Sequence, residues 1–198
     1  MLLWLSYLAL SAPFGVWMFK RQNSGQRLGG PISICKGLWL YWTISVWFML
    51  IPIALAHGDW PEAAWWAWGG LSVSMWVRGI AEIYMLFVTK NWTPKIGITH
   101  DLVTLAWVIG ASLLCWTSLS YAAWWIQLFT LALIISLAVE TWYAWAFLQL
   151  VRERTKGKEG IWYATKEDPK FRLILNVTTT FNTILYTMTT LFVWGWLF

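Results

Sequence analysis

The stretch "SMWVRGIAEIYML", residues 74–86, places Arg78 and Glu82 four residues apart inside an apolar, aromatic run. At that spacing both side chains fall on one helix face, where a guanidinium can hold a carboxylate or another anionic group. Glu140 in "LAVETWY" and Asn182 in "TTTFNTI" are likewise embedded in apolar sequence, and His100 and Asp101 sit together at the start of a further run. In an apolar surrounding a carboxylate beside an amide can take up and release a proton or a cation. A carboxylate near an imidazole can instead serve as a general base. The residues therefore define a binding site of Arg78, Glu82, Glu140, Asn182, His100 and Asp101. If the protein is an enzyme, Glu82, Glu140 and His100 are its acid–base groups.

Other chemistries find less material. The two histidines, His57 and His100, fall at opposite ends of different apolar runs, about one bilayer apart, so they cannot ligate one haem together. Hard cations favour oxygen ligands, and Glu82, Glu140, Asp101 and His100 are the residues that would hold a divalent ion, although no metal-ligand spacing assigns a metal. Cys35 and Cys115 lie in unrelated segments with no ligand at metal spacing, which reads as two unpaired thiols. Motifs for nucleotide binding, zinc proteases and serine hydrolases are missing. The "SAPFG" of the first run faintly resembles the opening of acyl-phosphate glycerol-phosphate acyltransferases, but the glycine-rich loop of those enzymes is absent.

These side chains must be positioned by elements that live in an apolar solvent. The 198 residues are 59% hydrophobic and 12% charged, with 20 tryptophans. Soluble domains carry about 25% charged residues, so this chain lacks the polar surface a water-soluble globule needs. Six runs are long enough to cross a bilayer as helices: 2–19, 37–57, 64–89, 102–119, 122–151 and 173–198. None alternates with the period of a barrel strand, so the expected fold class is all-α, a single-domain bundle of six transmembrane helices. Basic residues follow the first run rather than precede it, so it is expected to be a retained helix rather than a signal peptide, with a kink expected at Pro13 and Gly15.

Charge sets the expected direction. Lys20, Arg21, Arg27 and Lys36 follow the first run, Lys90 and Lys95 the third, and seven further basic residues from Arg152 to Arg172 the fifth. Of the 14 Lys and Arg residues only Arg78 lies outside these loops, so the loops are expected to be cytoplasmic and both termini extracytoplasmic. The net charge of +5 then marks contacts with anionic lipids rather than nucleic acid. The localisation expected is a bacterial inner membrane. Most tryptophans fit an interfacial belt. Their excess also suits an aromatic cavity for a quinone, pigment or lipid, and no cofactor is assigned. The long loop between the fifth and sixth runs reads as a solvated, lipid-contacting segment, with docking of a cytoplasmic partner as the alternative.

Depths counted at about 1.5 Å per residue from the cytoplasmic helix ends put Glu82 near 12 Å, Asn182 near 15 Å, and Arg78 and Glu140 near 18 Å. The expectation is one shared polar layer, with Arg78 pairing Glu140 or Glu82 and with His100 and Asp101 at the inner mouth. Runs three and five both open with "AAWW" and carry a Glu–aromatic segment about 18 residues on, a weak internal repeat of parallel sense. Ionisable residues at such depth are costly and point to function. The leading expectation is a transporter- or channel-like membrane protein, or the membrane subunit of such an assembly. The alternatives are an enzyme acting on a lipid or isoprenoid at the inner leaflet, and a non-catalytic subunit of an energy-converting or pigment-binding complex. Partner subunits or further copies of the chain are the expected protein partners.

Overall fold

The computed structural model describes residues 2–24, 34–57, 60–89, 94–118, 124–158, 163, 165 and 167–197. The side chains of Cys35, Lys36 and His57 lie outside what is described, as do Arg27, Lys90, Lys166 and residues 160–162 of the long basic loop. Among the described residues every regular element is helical and there is no strand. Helix α1 spans Leu2–Asn23 with Pro13 inside it. Helix α2 (Ile34–Ser45) passes through a π-helical turn, Val46–Leu50, into α3 (Ile51–His57). Helix α4 (Glu62–Ile83) continues through a second π-helical stretch, Tyr84–Thr89. Helices α5 (Pro94–Ser118), α6 (Trp124–Arg154) and α7 (Pro169–Leu197) complete the chain.

Helix ends follow local chemistry. Pro94 and Pro169 open α5 and α7, where the missing N–H would have no partner in any case. Asp168 caps α7, accepting from the N–H groups of Lys170 at 2.8 Å and Phe171 at 3.3 Å. The end of α6 carries Arg152 and Arg154, which suit the negative pole of the helix. Beyond it Lys156 and Gly157 adopt left-handed backbone, φ 54° and 81°, and the Gly157 N–H donates to the Arg152 carbonyl at 2.8 Å.

The π-helical turn in α2–α3 has an identifiable cause. Ile51 N–H donates to the Val46 carbonyl, five residues back. In that register the next donor should be residue 52, which is proline and has no N–H. The Trp47 carbonyl is thereby released, and α4 takes it up: Ser72 Oγ and Trp76 Nε1 both donate to it at 3.1 Å.

The helices pack in sequence as a ring. Helix α6 lies between α5 and α7, α7 returns to α2, and α4 fits between α3 and α5. Helix α1 is tied to α2 by hydroxyl contacts, Ser11–Tyr41 at 2.7 Å and Tyr7–Ser45 at 3.4 Å. One apolar core joins Trp47, Leu71, Met75, Val108 and Leu133 across α2–α6, and a second joins Phe147 and Val151 of α6 to Phe171 and Ile174 of α7. Outward faces are apolar as well: Val77, Ile80, Val103, Leu113 and Trp66 are all exposed. Two segments, Lys95–Thr117 and Gln127–Arg154, are long and apolar enough to cross a membrane.

Candidate functional site

On α4, Ser74, Arg78 and Glu82 line one stripe at four-residue intervals. Helix α5 starts at Pro94, so it carries His100, Asp101 and Thr104 inside the helix rather than at its mouth. At about 1.5 Å per residue this sets Asp101 roughly 10 Å beyond the helix start, within reach of an arginine on α4. Arg78 Nε donates to Glu82 Oε1 at 2.9 Å and Arg78 Nη1 donates to Asp101 Oδ1. The same Nη1 lies 3.4 Å from His100 Nδ1. Thr104 Oγ1 is 3.1 Å from Nδ1, and Ser74 Oγ is 3.4 Å from Nε2. A guanidinium can only donate, so contact with it makes His100 Nδ1 an acceptor and leaves the proton on Nε2, facing Ser74. His100 is then neutral. One guanidinium faces two carboxylates, and the cluster carries one excess negative charge. Exposure separates the two acids: the Asp101 side chain is 3% exposed and that of Glu82 is 47% exposed.

A second polar group lies between α6 and α7. Ser136 Oγ donates to Asn182 Oδ1 at 3.1 Å, and Asn182 Nδ2 donates to Glu140 Oε1 at 2.6 Å. Asn182 and Ser136 are buried, Glu140 is half-buried, and Tyr143 lies within electrostatic range of Glu140. Placing the amide between a hydroxyl and a carboxylate orients it, since its oxygen accepts from one side and its N–H donates to the other.

The expected single polar layer is therefore divided by its hydrogen bonds. Arg78 pairs with Glu82, as one alternative had it, and with Asp101, but not with Glu140. The reason is the earlier start of α5, which lifts Asp101 from the mouth to the level of the guanidinium. Glu82 and Glu140, equivalent in the weak repeat, sit in different surroundings: one on its own helix's arginine, the other on an amide of α7. Glu82, His100 and Asp101 converge on a guanidinium, and among the described residues no group of three His, Cys, Asp or Glu side chains is arranged to hold a metal.

Several contacts escaped sequence reasoning. Thr104 braces His100, and its position one helical turn after His100 was the available signal. Among the described residues several indole N–H groups have internal acceptors: Trp60 and Trp65 donate to the last carbonyls of α3, Trp68 to Cys115 Sγ, Trp76 to Trp47 and Trp116 to Thr130. These tryptophans fasten helices to one another as well as furnishing aromatic surface. Outside the apolar segments, Asp168 accepts from Arg154 Nε and Tyr163 Oη, both at 2.6 Å, and Lys170 Nζ meets Glu153 at 2.9 Å. The Arg154 and Tyr163 hydrogen bonds hold the Asp168 carboxyl well below the usual carboxylate range, and the bond to Asp168 pushes the Tyr163 phenol up.

Comparison with known protein families, with curated protein sequences and with solved structures finds no match to this chain.

Proposed function

We propose that this chain is a multi-pass membrane protein of transporter or channel type that passes a proton or a small cation across a bacterial inner membrane. Six spans would cross the bilayer, comprising α1, α2–α3, α4, α5, α6 and α7. The basic loops would be cytoplasmic against anionic lipid and both termini extracytoplasmic. The reading rests on one observation: hydrogen-bonded acids, Asp101 buried and Glu140 half-buried, lie between helices whose outward faces are apolar. Glu140, held by the fully buried Asn182, is the carrier. The Arg78–Asp101–Glu82 cluster lies on α4 and α5, the second of which packs on the Glu140 helix, and its excess negative charge would favour cations over anions on the cytoplasmic approach. Arg78 is engaged by two carboxylates and so anchors α4 to α5 rather than receiving an anionic substrate. Catalysis with His100 as base has less support, because both ring nitrogens already have partners.

The test is reconstitution of the purified chain into liposomes that contain a pH-sensitive dye, with an imposed membrane potential. Wild type is expected to dissipate an ion gradient, and Glu140→Gln to lose that flux while eluting as a folded species. Equal flux in both, or none in wild type under proton and alkali-cation gradients, would sink the reading. Cysteine labelling of Lys158→Cys from the cytoplasmic side only would support the orientation, and labelling from outside would reverse it.

A further inference from the structure

Thr178 and Thr179 differ from the other helical hydroxyls. Ser112, Thr117, Thr141 and Thr183 each donate to the carbonyl four residues back, at 2.6–2.8 Å. That is the usual resort of a hydroxyl on an apolar helix. The Oγ1 atoms of Thr178 and Thr179 are buried and make no hydrogen bond, and Thr178 is 0% exposed. Buried polar groups without partners are rare and call for a ligand or a function.

The register of α6 against α7 shows what Thr178 faces. Phe147 packs on Phe171 with ring centroids 5.7 Å apart, and further along Asn182 bonds Ser136 and Glu140. Between these points the antiparallel pair sets Thr178 opposite residues 140–144 of α6. It lies one turn from Asn182 on the same face of α7. Ala144, on the Glu140 stripe of α6, contributes little bulk there.

We infer that Ser136, Glu140, Thr178 and Asn182 form a binding site for a dehydrated monovalent cation of the sodium type, an assignment that rests on the reading of Glu140 as carrier. The donor set is a carboxylate, an amide oxygen and two hydroxyls, all hard oxygens suited to an alkali cation. Glu140 is the only anion among the four, so a single positive charge matches it, whereas a divalent ion would leave net charge in an apolar interior. A proton would neutralise Glu140 but do nothing for the Thr178 hydroxyl. Rotation of the Asn182 amide turns Oδ1 toward the ion, and the Ser136 and Thr178 oxygens complete the cage.

The experiment measures thermal unfolding of the purified full chain in detergent, in sodium, potassium and choline chloride at equal ionic strength, with direct binding of radioactive sodium alongside. Sodium is expected to raise the midpoint in a saturable way. Thr178→Val should weaken sodium binding at least tenfold, Thr178→Ser should restore it, and Glu140→Gln should abolish it. Should Thr178→Val fold poorly, Thr178→Ala in the binding assay carries the same test. Identical midpoints in the three salts, or sodium binding unchanged by Thr178→Val and Thr178→Ala, would overturn the assignment. Glu140-dependent proton flux without any sodium response would also overturn it while leaving the transport reading intact. Sodium binding without flux would do the reverse.

Discussion

Replacing Arg78 by Met should strand the most enclosed acid among the described residues. Asp101 is 2% exposed, and its acid–base surroundings on α4 and α5 are Arg78, Glu82 and His100. Breaking a buried pair from one side costs about 3–5 kcal/mol, because the remaining charge has no compensation. Protonation sets a ceiling: neutralising a carboxyl of ordinary pKa near 3.9 at pH 7 costs about 4 kcal/mol, or ~1.4 kcal/mol per pH unit. Glu82 adds little, since an exposed pair at i,i+4 is worth about 0.3–0.5 kcal/mol. Asp101→Leu alone should cost less than Arg78→Met, because Glu82 still pairs the guanidinium. The double variant Arg78→Met/Asp101→Leu should return to within about 1 kcal/mol of wild type, as apolar replacement of a whole buried pair is near neutral. A double-mutant cycle read by tryptophan fluorescence during SDS unfolding in mixed micelles measures this. The expected Arg78–Asp101 coupling is about 3 kcal/mol, against under about 0.5 kcal/mol for the cycle with Glu140→Leu. The Arg78→Met deficit should also shrink on going from pH 7 to pH 5. An Arg78→Met protein as stable as wild type, or stronger coupling to Glu140 than to Asp101, would refute the reasoning.

Other perturbations probe the frame that positions these residues. Ser72→Ala with Trp76→Phe removes both donors to the Trp47 carbonyl and should cost about 1–3 kcal/mol, with each single change costing less; the same unfolding assay reports it. A Cβ at Gly70 would lie 2.7 Å from the Trp107 ring, so Gly70→Ala should destabilise by about 1–3 kcal/mol in wild type. In a Trp107→Leu background the same change should stabilise by up to about 1 kcal/mol, because alanine is the better helix former. Asp168 has a depressed carboxyl, so its contribution is full above the ordinary carboxylate pKa and is lost as pH falls through and below it. Wild type should therefore lose stability on acidification below about pH 4, and Asp168→Asn should flatten that limb of the pH–stability curve. An unchanged limb would show that the clasp with Arg154 and Tyr163 does not bear on stability.

Long apolar runs, scarce charge and the absence of period-two alternation were enough to read an all-helical chain, because these signals are local: a backbone enclosed in apolar surroundings must satisfy its own hydrogen bonds. The polar residues were also legible one by one. Arg78, Glu82, Glu140, Asn182, His100 and Asp101 all stand out against their neighbours, and the four-residue spacing of Arg78 and Glu82 anticipated their contact. Span limits were less so. Placing the fourth run at 102 rather than 94 displaced Asp101 by about two turns, since Lys95 and the threonines near it dilute hydropathy without breaking the helix.

Which residue meets which was beyond local reading. The Arg78–Asp101 pair depends on where α5 begins and how α4 lies against it. The bond from Asn182 to Glu140 depends on the antiparallel register of α6 and α7, fixed near their other ends by Phe147 on Phe171. Pro52 was visible from the start, yet only packing against Ser72 and Trp76 reveals that its missing N–H frees a carbonyl that locks two helices together. Hydropathy and periodicity act over a few residues, whereas partnership is set by crossing and register summed along whole helices. The unpartnered hydroxyl of Thr178 belongs to that second kind of information: a threonine in a helix is unremarkable until its neighbours leave it nothing to bond.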